Sequence, residues 1–239
     1  MNKSKWKFNQ LLLLFGWLGL FTLCTSTGIV KQTKENTKSA TTPTPSLSAE
    51  NNASNMEMTA TDSLPPYYQI PDAPETYSNV NVAARMIDGL GYRYYWATEG
   101  LTETDLDYRP SEDSRTARET LDHLYGLSMM IVNAPLQQPN IRPLTGLEDK
   151  SFEEKRVGTL NNFKQASDVL RASSPADMEA FKIVFQRGER VSEFPFWNML
   201  NGPIADAIYH TGQIVAYRRA SGNPVNSGMN VFMGKTREQ

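Results

Sequence analysis

The chain has 239 residues, 24 of them basic and 26 acidic, with one cysteine and two histidines. This near-neutral balance carries no basic block, so it lacks the footprint that neutralises nucleic-acid phosphates, and no nucleic-acid partner is expected. The only cysteine, Cys24, lies near the start, which excludes disulfides, thiolate metal ligands and a cysteine nucleophile from everything after it.

Residues 1–24 have the composition of an export signal. Lys3, Lys5 and Lys7 precede an uncharged apolar run from Leu11 to Leu23, and Cys24 follows. The run is shorter than the ~20 residues needed to cross a bilayer. Phe21-Thr22-Leu23-Cys24 resembles a bacterial lipobox, with Leu23 where Gly, Ala or Ser is usual. The expectation is an exported protein of the cell envelope, lipid-anchored to a membrane through Cys24. The alternative is an ordinary signal cut near Ser26. Residues 25–66 hold no Phe, Trp or Tyr and are rich in Thr, Ser, Asn, Lys and Pro. Such a segment buries too little apolar surface to offset ordering entropy and reads as a disordered tether of ~35 Å r.m.s. span.

Aromatic residues begin at Tyr67-Tyr68, and residues 67–239 are long enough for one domain with its own core. Four helices are predicted there. The first spans about Ser78 to Glu99, with Val82, Met86, Leu90 and Trp96 at helical spacing and Gly100 as a stop. The second spans about Ser114 to Val132, capped by Ser114, with Ala117, Leu121, Leu124, Leu127 and Ile131 as its apolar stripe. The third opens on a Ser151-x-x-Glu154 capping box and lines one face with Val157, Leu160, Phe163, Val169 and Leu170. Ser174-Pro175 starts a short helical turn. Phe181 to Gln186 reads as a strand turned back at Arg187-Gly188-Glu189. The fourth helix follows Asn201-Gly202-Pro203, with Pro203 at its first position, and stops near Gly222-Asn223-Pro224. The tail from Val225 to Gly234 reads as extended. The fold expected is all-α, an antiparallel four-helix bundle with a short strand or irregular insertion between helices three and four.

The fourth helix carries the chemistry. From Phe194 to Tyr217 the only formal charge is Asp206, so most of the helix circumference is expected to be covered by neighbouring helices or by a second subunit. Ile204, Ala205, Ile208, Gly212 and Val215 form the expected apolar stripe. Asp206, His210, Gln213 and Tyr217 run along the other side at spacings of four, three and four. Asp206 and His210, one turn apart, can share a divalent ion. The third ligand is the only other histidine, His123, near the middle of the second helix, with Glu119 one turn before it. Two imidazoles and a carboxylate leave open positions on Zn, Fe or Ni for water or substrate. The same residues also fit a plain Asp206–His210 hydrogen-bonded pair and a core-edge His123 satisfied by Glu119. Glu119, Tyr209 and Gln213 are the candidates for orienting ligands around the centre.

Two segments resemble a known family. Tyr108-Arg109-Pro110, Ser114-Arg115-Thr116 and Glu119-Thr120-Leu121-Asp122-His123-Leu124 resemble the second-helix region of the DinB-like superfamily. Ala207-Ile208-Tyr209-His210-Thr211-Gly212-Gln213-Ile214, with Arg218-Arg219 and Gly222-Asn223-Pro224, resembles that family's last helix. The resemblance implies a four-helix bundle, often dimeric, in which three histidines hold a divalent metal. By position these are His123, Asp206 in place of the middle histidine, and His210. Metal-bearing relatives resemble thiol-dependent transferases or isomerases, and the exported location favours hydrolysis, so the expectation is a metal-dependent hydrolase or transferase. The nearly uncharged fourth helix, the tether and the Asp206 departure equally fit a non-catalytic membrane-tethered binding or dimerisation module with a degenerate site.

Overall fold

A computed structural model describes residues 64–237 of the chain. The expected export signal, Cys24 and the tether up to residue 63 lie outside the described residues.

Helix boundaries follow local capping chemistry. Helix α1, Asn79–Thr98, is capped by Ser78, whose hydroxyl accepts from the Asn81 amide, and its exit passes through Gly100 at φ 67°. A short helix α2, Glu103–Asp107, follows, closed by a Thr102/Asp105 capping box. Helix α3, Ala117–Asn133, is capped by Thr116 and Glu119, two residues beyond the expected Ser114. Thr116 wins because Glu119 stands three positions after it and returns a hydrogen bond to its backbone amide at 2.8 Å. Helix α4, Phe152–Ala172, opens on the Ser151/Glu154 box. Each such box satisfies two orphan amides and contributes about 1 kcal/mol.

The long helices pack in a closed circuit: α1 and α3 each lie against α4 and against α6, Ala205–Ser221. Tyr94, Leu124, Phe163, Ile204 and Ile214 meet in the resulting core. Two expected faces are corrected. On α1 the buried side is Val80, Ala83, Ala84, Ile87 and Leu90, whereas Val82 and Met86 are exposed. On α6 the buried line is Ile204, Ala207, Thr211, Ile214 and Arg218, while Ala205, Ile208 and Gly212 lie outside it. An apolar side chain does not by itself choose between two helix faces when small and polar residues pack as well.

The expected all-α, four-helix-bundle class of DinB-like type is overturned by two sheets. Strand β2, Lys182–Arg187, pairs antiparallel with β3, Arg190–Pro195, across Gly188 at φ 58°. A third strand, β1, Asn140–Ile141, joins β2 in parallel from the loop between α3 and α4. The Asn140 side-chain amide donates to Val184 O at 3.0 Å and its oxygen accepts from Asn133 at 3.0 Å, fixing the sheet to the end of α3. The tail is a second, two-stranded sheet, β4 (Met229–Asn230) with β5 (Lys235–Thr236). It is held on α1 where the Tyr92 hydroxyl meets Thr236 Oγ1 at 2.9 Å and accepts from the Asn230 amide at 3.2 Å. The segment after helix α4 is thus part of a mixed sheet rather than an insertion.

Helix α6 does not begin at Pro203. One turn of helix α5, Trp197–Met199, runs into a wide turn with π-type hydrogen bonding, Leu200–Ile204, kinked at Gly202 (φ −100°, ψ −106°), and α6 continues from it. The kink lies four residues before Asp206.

Candidate metal centre

Helix α3 presents His123 toward α6, and α6 answers with Asp206 and His210 on successive turns. His123 Nε2 lies 3.1 Å from Asp206 Oδ2, and His210 Nε2 lies 3.3 Å from Asp206 Oδ1. The two imidazole rings meet edge to face with centroids 4.8 Å apart. One ligand atom from each of the three residues lies within 4.8 Å of the others, so the cluster could hold a metal ion.

The geometry fits such an ion. Bonds of ~2.0–2.1 Å in a tetrahedral sphere put neighbouring ligand atoms ~3.4 Å apart. Each imidazole Nε2 already lies at about that distance from an Asp206 oxygen, His123 from Oδ2 at 3.1 Å and His210 from Oδ1 at 3.3 Å. Exposure suits exchange with solvent: the His210 side chain is 12% exposed, His123 33% and Asp206 43%.

The outer contacts orient His210. Its Nδ1 lies 2.6 Å from Gln213 Oε1, and the Gln213 amide nitrogen donates to the Tyr209 hydroxyl at 3.3 Å. With the amide turned this way, Gln213 accepts from Nδ1–H. His210 Nε2 then faces the Asp206 carboxylate, where either a proton or a metal cation can stand between nitrogen and oxygen. Tyr209 also packs its ring against His210, centroids 5.2 Å apart.

Glu119 does not reach the centre. Its carboxylate accepts from the Thr116 amide and faces Arg109 at 3.5 Å. The Thr116 amide, with the Arg109 and Arg115 charges, outweighs desolvation and holds Glu119 below the usual carboxylate range. His123 takes its partner from α6 instead, which removes the reading of a histidine satisfied by Glu119. Tyr217, the last of the expected polar line, sets its ring at a tilt against Tyr108, centroids 5.7 Å apart.

A cleft of about 670 Å³ opens beside His123 and Asp206. Ile183, Phe185 and Phe194 of the sheet form its apolar wall, and Asn198, Asn201 and Tyr209 contribute its polar groups. Sequence reasoning did not single out Asn198 and Asn201. Their signal was two amides three residues apart within an otherwise apolar run. The sheet wall carried no comparable signal, because β1 and the pairing of β2 with it are long-range.

No family model, curated protein or solved structure matches the chain.

Proposed function

We propose that the chain binds a divalent metal, Zn, Ni or Fe, through His123, Asp206 and His210, and acts as a metal-dependent hydrolase or transferase on a small substrate held in the adjoining cleft. The observation that carries this reading is the convergence of the three ligand atoms, with His210 oriented from behind by Gln213. The resemblance of the His123 and His210 segments to the DinB-like superfamily supports it, with Asp206 replacing the middle histidine. A divalent ion supplies Lewis acidity that polarises a carbonyl or acidifies a water. The chain's own groups do the remainder. Asn198 and Asn201 offer amides to a polar substrate group, Tyr209 offers a hydroxyl at the cleft rim, and Ile183, Phe185 and Phe194 exclude water from one side. Export of the chain and lipid attachment at Cys24 belong to the same proposal.

Metal analysis of the tag-free protein after loading with Zn, Ni or Fe tests this reading. About one equivalent retained by the wild type, and none by His123→Ala or His210→Ala, is expected of a three-residue site. Retention below about a tenth of an equivalent rejects it.

A second reading is favoured by one observation. Ala205, Ile208 and Gly212 form an exposed apolar line on α6, on the side turned away from the core. This line suits a homodimer seam, and the protein then serves as a membrane-tethered dimerisation or binding module. In this reading the module is non-catalytic and the metal site degenerate, so the metal analysis above separates the two.

A further inference from the structure

A separate groove of about 590 Å³ lies between the start of α1 and the β3–α5 segment. Exposed large apolar side chains gather around it: Tyr77, Val82, Met86, Phe194 and Trp197 all border it, with Tyr77 98% and Trp197 76% exposed. Scattered single apolar residues on a surface need no explanation, but a contiguous set lining a concavity of this size is the usual form of a small-molecule site. The groove is a built feature. Asn79 Nδ2 donates to Pro175 O at 3.0 Å and ties the first turn of α1 to the helical turn Pro175–Glu179 at one end. Met86 and Met178 give the wall unbranched, adaptable surfaces.

Charge narrows the ligand. The only cation among the described residues of the lining, Lys182, is engaged by Glu193 at 2.9 Å. Glu179, the remaining charged group, has no ion-pair or hydrogen-bond partner among the described residues. The lining therefore carries one uncompensated negative charge beside exposed aromatic faces, which attract cations through their ring quadrupoles. An anion finds no free donor cation there.

We infer that this groove binds an apolar molecule bearing a single positive charge, with the hydrocarbon part against Val82, Met86 and Trp197 and the cationic end toward Glu179. The inference does not depend on the metal centre. Phe194 lines both the groove and the cleft beside His123, so the two sites share a wall.

The test uses the metal-free full chain and three probes of equal chain length, dodecyltrimethylammonium, dodecyl maltoside and dodecanoate, each kept below its micelle-forming concentration. Binding is read by tryptophan fluorescence and by calorimetry. The expected result is saturable binding of the ammonium probe at one site, about tenfold tighter than dodecanoate, with the maltoside between them. Glu179→Gln should erase the difference between cation and anion, and the neutral changes Met86→Ser and Trp197→Ala should weaken all three probes. These side chains are exposed, and unchanged circular dichroism of the variants separates lost binding from lost fold. Absence of saturable binding, equal affinity for dodecanoate, binding undiminished by both Met86→Ser and Trp197→Ala, or a second copy of the chain covering the groove in solution would overturn the inference.

Discussion

At the scale of single residues, the centre depends on which atom of His210 is left free. Gln213 Oε1 engages Nδ1, so Nε2 is the ring nitrogen turned toward Asp206 and the one placed to take a metal. Asp206 in turn reaches both imidazoles, one with each oxygen. Removing the partner behind a metal-bound histidine lowers affinity ~10–100-fold in known centres. Gln213→Leu should therefore weaken metal binding by about that factor, measured by competition with a chelating dye, while the metal-free protein melts near the wild-type temperature. An unchanged affinity would show that Gln213 does not orient the ring. The spacing of Asp206, His210 and Gln213 was legible in the sequence because all three sit on one helix. His123 was reached as the other histidine in the chain and through the family resemblance, since nothing local announces that α3 lies beside α6.

At the scale of elements, the ends of α1, α2 and α6 are joined by one polar junction. Arg218 on α6 is buried and donates to the carbonyls of Trp96, Ala97 and Glu99 at 3.1, 3.2 and 2.7 Å, satisfying groups that the end of α1 leaves unpaired. Gly222, at φ 95°, lets the chain turn so that Asn223 reaches Asp105 at 2.7 Å, where the Ser221 hydroxyl and the Thr102 amide also donate. Burial alone would raise the Asp105 carboxyl, but the hydrogen bonds from Asn223, Ser221 and Thr102 outweigh it and hold the group well below the usual range. With a folded pKa below the unfolded value of ~3.9, Asp105 contributes stability that is complete above that value and is lost as pH falls through the folded pKa. Thermal unfolding followed downward from about pH 4 should show this loss in the wild type and a shallower fall in Asp105→Asn. Parallel acid profiles would contradict the assignment. Much of this scale was legible: the Ser151/Glu154 box, the stop at Gly222 and the hairpin turn at Gly188 all follow from local chemistry. The two sheets were not, because β1, β4 and β5 are two residues each and exist only through distant pairing. The burial of α6 was misread for a related reason. Thr211 and Arg218 find partners inside the fold, so polar residues occupy the inner face and Ile208 is left outside.

At the scale of the whole molecule, the circuit of α1, α4, α3 and α6 buries one core and sets the metal cleft on one side of α6, leaving the apolar line through Ala205, Ile208 and Gly212 on another. If a second copy covers that line, Ile208→Glu places a charge in the seam and should convert a dimer to a monomer by light scattering, without loss of helicity. A monomeric wild type at high concentration would remove the dimer reading and leave the centre untouched. The claim on which the rest stands is that His123, Asp206 and His210 ligate one ion together. X-ray absorption of the zinc-loaded full chain reads that coordination directly. The predicted result is a sphere of nitrogen and oxygen at ~2.0–2.1 Å with the scattering signature of two imidazoles, and no protein-bound zinc to give that signature in His210→Ala. Zinc lost on desalting, or a spectrum unchanged by His210→Ala, would contradict it.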